Sequence, residues 1–314
     1  MKRFFKISGY TLGILFAFIA GFAMYVQLKG IPTYEPLHVE LKVDVKPERV
    51  SNGLRIATMQ CIQCHANEKN LMTGRYLKEL PGEFGKLYSK NITHDPVKGI
   101  GTWTDGELYY FLRTGVRADG TYAPPYMPKF PLMADEDLQD VIAWLRSDSF
   151  GLEASQSEPP DSEPSFLIKI LTNTIIRPEP YRKTPITKPD TTNMIALGEY
   201  YANGVTACFS CHSGDLTKIN SLNPAASAGY YGGGSTFTDM EGNQIRSRNL
   251  TFDETGIANY SEEEFIKAVR FGQKPDGTMV RYPMVPHTSL TDKEVKGIYA
   301  FLQTVPKIKN VVPN

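Results

Sequence analysis

Two pentads of the form C-x-x-C-H, CIQCH at 61–65 and CFSCH at 208–212, hold all four cysteines of this 314-residue chain and two of its five histidines. Two thiols about one helical turn apart can add to the two vinyl groups along one porphyrin edge, and the adjoining imidazole then faces the iron. This is the attachment signature of c-type haem. A redox disulfide would have no use for the following histidine, and no βαβ pattern surrounds either pair. A structural zinc site would want its cysteine pairs roughly 15–20 residues apart, whereas Cys64 and Cys208 are separated by 144 positions. The spacing therefore predicts two covalently bound haem c groups, one on Cys61 and Cys64 with His65 on the iron, the other on Cys208 and Cys211 with His212. All four cysteines are then used, and none is left for a disulfide.

A tandem repeat supplies the sixth ligands. NITHDPVKGIGTWTDGELYYFLRTGVRADGT after the first pentad matches NLTFDETGIANYSEEEFIKAVRFGQKPDGT after the second, at an offset of 158 residues that becomes 157 after a one-residue deletion near Lys98. Asn91 then matches Asn249, Trp103 matches Tyr260, Arg113 matches Arg270, and Asp119-Gly120 matches Asp276-Gly277. Met127 falls on Met284, both in Pro- and Tyr-containing loops before a last helix, so these two thioethers are the expected iron ligands. No rival matches: Met133 falls on Leu290, Met279 on Tyr122, His94 on Phe252, and His287 on Phe130. His287 is read as a loop histidine bordering the second haem. Arg113 and Arg270 could fork onto haem propionates or serve as helix-end cations. The Gly-rich GYYGGG (229–234) lies in an insertion of about eleven residues in the second repeat, and without GxxxxGK it does not read as a phosphate loop.

The elements that position these residues read as helices. RVSNGLRIATMQC and MIALGEYYANGVTAC lead into the pentads with helical apolar spacing. Thr104 and Ser261 have the form of N-caps, Gly115 and Gly272 of helix stops, and Ala134-Asp135 and Thr291-Asp292 open a final helix in each repeat. No segment shows sustained strand alternation. Residues 147–190 contain seven prolines, acidic residues early and basic ones late, and the apolar FLIKILTNTII in the middle: an extended strap with one docked segment.

Upstream, Ile7 to Leu28 runs without a charge behind Lys2, Arg3 and Lys6. At roughly 1.5 Å per residue such a helix spans a bilayer core of about 30 Å. The apolar run continues past Gly21-Phe22-Ala23, the passable cleavage site, so an uncleaved anchor is expected ahead of the competing secretory signal. The basic flank stays inside and the body is exported. Gly9, Gly13, Ala17 and Gly21 line one face, where another membrane helix could approach closely. Lys+Arg and Asp+Glu each number 34, which gives no basic excess for nucleic acid, and 41% hydrophobic residues is too few for a multi-span protein.

On CxxCH, NITHDPVKGIGTW, NLTFDETGIANY, the R-x-G…DG segments and the methionine loops, the chain resembles the cytochrome c subunit family of membrane-bound bacterial alcohol, aldehyde and gluconate dehydrogenases over about residues 50–146 and 191–304. Those subunits usually carry three haem domains where this chain has two. The resemblance implies a mainly α fold of two tandem class I cytochrome c domains, with Met127 and Met284 at the axial positions. The expected layout is an anchor at 1–30, a linker at 31–48, domain one at 49–146, the strap at 147–190, domain two at 191–308 and a tail at 309–314. The expected function is single-electron transfer, not catalysis, on the periplasmic side of the inner membrane, with redox proteins or a respiratory or dehydrogenase complex as partners. The competing class is a dihaem enzyme of the peroxidase or thiosulfate-oxidising type, which would need a vacant or replaced sixth position.

Overall fold

The uncharged run near the N-terminus folds as helix α1 (Lys2–Lys29), whose apolar side chains largely face away from the rest of the protein. The stretch Lys6–Lys29 is long and apolar enough, by length and composition, to cross a membrane. The computed structural model describes residues 2–239 and 241–313. The side chains of Lys2 and Arg3, on which the expected orientation partly rests, and Asn314 of the expected tail lie outside it.

In the first half, Pro47 opens helix α2 (Pro47–Gln60), which runs into the short α3 (Ile62–His65) carrying the pentad. After strand β1 (Gly85–Lys86) comes α4 (Asp105–Thr114). Thr104 accepts from the Glu107 N–H while Glu107 reaches back to the Thr104 N–H, a capping box. Gly115 ends the helix at φ 81°, where a side chain would be strained. Helix α5 (Asp135–Leu145) closes the half by crossing α2. The crossing is made at Gly53, where a Cβ would come within 1.9 Å of the Asp140 carbonyl oxygen.

The strap returns along this half. Strand β2 (Glu163–Pro164) pairs antiparallel with β1, and FLIKILTNT forms α6 (Phe166–Thr174), which packs on α1.

The second half repeats the plan with one irregularity. Helix α7 (Met194–Glu199) crosses the last helix at Gly198, where a Cβ would lie 1.9 Å from the Gly297 carbonyl oxygen. Gly53 stands eight residues before Cys61, but Gly198 stands ten before Cys208. The surplus is taken up by a π-helical turn, Tyr200–Val205, and by Ala207 in the left-handed region at φ 49°. Helix α8 (Cys208–His212) holds the second pentad. Strands β3 (Thr236–Thr238) and β4 (Gln244–Arg246) form a hairpin, so strand structure does exist here, in pieces too short to leave an alternation. Helices α9 (Glu262–Phe271) and α10 (Asp292–Leu302) follow, each opened by a capping box, on Ser261 and Thr291.

The halves do not bury separate interiors. Ile56, Met133, Leu138 and Trp144 of the first half join Tyr201, Val205, Tyr231, Leu290 and Phe301 of the second in one continuous apolar core. Tyr200 spans the boundary, its hydroxyl donating to Asp137 at 2.5 Å and accepting from the Ala134 N–H at 3.0 Å.

Candidate haem-binding sites

Each pentad histidine is aimed by the same device. His65 Nδ1 lies 2.7 Å from the Lys90 carbonyl oxygen, and His212 Nδ1 lies 2.8 Å from that of Arg248. A carbonyl only accepts, so Nδ1 carries the hydrogen, and Nε2, which has no protein partner among the described residues, keeps its lone pair. Burial holds both imidazoles below their usual pKa, so each stays neutral, as a metal ligand requires.

The thiols are unpaired in both pentads. Burial pushes Cys61 up to about 12 and also raises Cys64, Cys208 and Cys211. A redox CxxC needs a stabilised thiolate, and this environment opposes one.

The carbonyls that aim the histidines are themselves held. Asn91, the next residue after Lys90, accepts from the Thr93 N–H at 2.8 Å and donates to the Ser155 and Ser157 carbonyls on the strap. Asn249 accepts from the Thr251 N–H at 2.9 Å and donates to the Ile308 carbonyl at 2.7 Å. Gly74 and Gly233, at φ 85° and 67°, donate to the His65 and His212 carbonyls, and a Cβ on either would run into the carbonyl-bearing segment at 2.2 or 2.4 Å. Gly233 belongs to GYYGGG, so that stretch acts as the close turn behind the proximal histidine. Arg75 donates twice to the carbonyl of Gln63 inside the first pentad and pairs with Glu79 at 2.5 Å. Sequence reasoning missed Gly74 and Arg75, although Gly74 could have been found once GYYGGG was aligned on it.

The methionine loops share a turn. The Met127 N–H donates to Pro124 and that of Met284 to Arg281, both at 3.0 Å. Three residues on, Phe130 and His287 donate from their backbones to Leu112 and Val269 at 2.9 and 2.8 Å. Met127 packs against the core, and half-buried Lys129 ties its loop by donating to the Ala123 and Pro124 carbonyls at 2.5 and 2.8 Å. Phe130 joins the core, but its counterpart His287 brings an imidazole whose buried Nδ1 has no hydrogen-bond partner among the described residues. Burial pulls the His287 pKa down, and His212 lowers it further. Tyr282 of the same loop reaches the other half: burial pushes its phenol up to about 12, with Glu79, Arg75 and Cys64 acting on it.

Arg113 and Arg270, the candidate propionate contacts, also have protein partners. Arg113 is buried and donates to the Phe130 and Met133 carbonyls, each at 2.6 Å, and to Asp135 at 2.6 Å. Arg270 pairs with Asp292 and donates to the Thr288 carbonyl at 3.4 Å. Both clamp the methionine loop between the preceding helix and the first residue of the last one, a role the sequence reading did not assign.

An anchored imidazole with a free Nε2, two neutral thiols one turn apart and a methionine turn are the donor set that haem c takes, and the two halves each supply one. Residues 48–145 match the family model described as cytochrome c oxidase, cbb3-type, subunit III. The cytochrome c subunit of a quinone alcohol dehydrogenase from Gluconacetobacter polyoxogenes is 26% identical over 276 residues, 84% of this chain and 58% of that one. The fructose dehydrogenase cytochrome subunit of Gluconobacter japonicus is 25% identical over 274 residues, 82% of this chain and 52% of that one. A diheme cytochrome c-type protein of Cereibacter sphaeroides is 27% identical over 267 residues, 79% of this chain and 83% of that one. The chain thus spans little more than half the length of the two dehydrogenase subunits.

Proposed function

We propose that the chain is a cytochrome c of the family that includes the cytochrome c subunits of quinone alcohol, fructose and gluconate dehydrogenases, and that it is a dihaem electron carrier anchored in the cytoplasmic membrane and facing the periplasm. It passes single electrons from a dehydrogenase or respiratory complex towards a terminal acceptor. Two tandem class I cytochrome c domains, about 49–146 and 191–308, follow the anchor, linker and strap, and each takes one haem.

When bound, each haem supplies one ferric/ferrous couple. The protein's part is to hold it and set its surroundings. Cys61 and Cys64, and Cys208 and Cys211, provide the thioether bonds. His65 and His212 would present Nε2 to the iron, made more basic by the Nδ1–H bond to Lys90 or Arg248. Met127 and Met284 would supply soft thioether ligands that favour the reduced state. The continuous core fixes the spacing between the two sites, so transfer between them needs no domain motion.

The observation that carries this reading is the twice-made combination of unpaired pentad thiols with a carbonyl-anchored histidine. A pyridine haemochrome assay on the purified chain should return two covalent haems, and the oxidised protein should show the methionine–iron charge-transfer band. Rapid carbon monoxide binding by half of the reduced haem, or peroxide turnover, would instead support a haem enzyme.

A further inference from the structure

Helix α6 is apolar on more than one face. Ile168 and Thr172 are buried against the protein, while Phe166 and Leu167 are each 42% exposed and Ile175, just past its end, is 74% exposed. Apolar side chains left exposed beside the buried face of a helix suit a second apolar environment. What lies beside it is the end of α1: Lys169 Nζ donates to Gln27 at 3.3 Å, Asn173 Nδ2 donates to the Gly30 carbonyl at 2.8 Å, and Val26 is fully buried beneath this contact region. Leu28 and Tyr25, on the last turns of α1, are 81% and 53% exposed. The basic groups nearby are those that sit at a headgroup layer: Lys29 over the Tyr25 ring, Lys169, and the exposed Arg177, which caps the α6 carbonyls.

We propose that α6 is an interfacial helix lying on the bilayer surface beside the exit of α1, with Phe166, Leu167 and Ile175 seated among lipid at headgroup depth. The proposal rests on α1 being a membrane span. Both ends of α6 are tied to the first half, through β2 on β1 and through the Glu179 N–H to the Thr114 carbonyl at 3.2 Å. Seating α6 therefore gives the body a fixed tilt and places the first half against the membrane.

The test uses the full-length holoprotein in vesicles of phosphatidylcholine and phosphatidylglycerol, with the haems reduced. Single nitroxides are placed at L167C, I175C, F18C and V311C, Val311 being 74% exposed on the C-terminal segment. The expected result is an oxygen-over-nickel-chelate accessibility ratio at 167 and 175 between that of 18 and that of 311. Values at 167 and 175 equal to 311, with 18 deep in lipid, overturn the proposal and leave the anchor intact. If 18 also matches 311, the span itself fails and the proposal falls with it.

Discussion

Arg55, six residues before the first pentad, donates two hydrogen bonds to Glu294 of the other half, at 3.0 and 2.8 Å. Glu294 is the repeat counterpart of Asp137, and Asp137 is the residue that Tyr200 reaches from the second half. Arg55 and Tyr200 lie equally far beyond the matched glycines Gly53 and Gly198. Each half thus uses the same place on its leading helix to grip the same place on the other half's last helix.

Removing one side of that grip strands a largely buried charge. Arg55→Ala leaves Glu294, whose side chain is 11% exposed, without its cation, and should cost about 3 kcal/mol, at the low end for a broken buried pair because Arg55 itself is a quarter exposed. Guanidinium unfolding of the holoprotein measures it. The double variant R55M/E294L should recover most of the loss.

The two iron sites should respond differently to loss of methionine. Met127→Ala is expected to give a high-spin, carbon monoxide-binding haem, because the nearby loop position 130 is Phe. Met284→Ala should stay low-spin, since His287, three residues along the same loop, carries a buried Nδ1 with no hydrogen-bond partner among the described residues and can take the vacated position. The M284A/H287A pair should lose that state. Absorption and resonance Raman spectra of the three proteins decide the matter.

The helix crossings at Gly53 and Gly198 leave no room for a methyl group. Gly53→Ala and Gly198→Ala each drive a Cβ to 1.9 Å from backbone oxygen and should cost about 3 kcal/mol or more, at or above the usual cost of overpacking since backbone cannot rotate away. Gly9→Ala in α1 meets nothing within 4 Å and should leave the melting temperature unchanged.

Arg113→Ala separates a clamp from a propionate contact. A clamp predicts a stability loss of about 3 kcal/mol from the unpaired Asp135 and two stranded carbonyls, with the haem potentials little moved. A propionate contact predicts the reverse pattern. Paired denaturation and redox titrations report both.

What could be read ahead of the structure was whatever local chemistry writes into a short window. The caps on Thr104 and Ser261, the stops at Gly115 and Gly272 and both pentads fall where side-chain type alone decides conformation. Long-range partners left no such mark. Arg113 looked equally suited to a propionate or a helix end, and only folding brought Asp135 and two carbonyls to it. The two residues gained between Gly198 and Cys208 are visible on alignment, but their absorption in a π-helical turn depends on packing against the other half. The continuous core was illegible for the same reason: each repeat carries the pattern of a self-sufficient unit, and nothing in Val205 or Tyr231 announces that its neighbours come from both.

When two copies of one surface meet through equivalent residues, the arrangement is that of a twofold homodimer. Here both copies lie in one polypeptide, with residues 147–190 as the joint, so the pairing is intramolecular and does not come apart on dilution. Arg55 facing Glu294 and Tyr200 facing Asp137 are then equivalent contacts that one chain can build from different residues, since each is encoded separately.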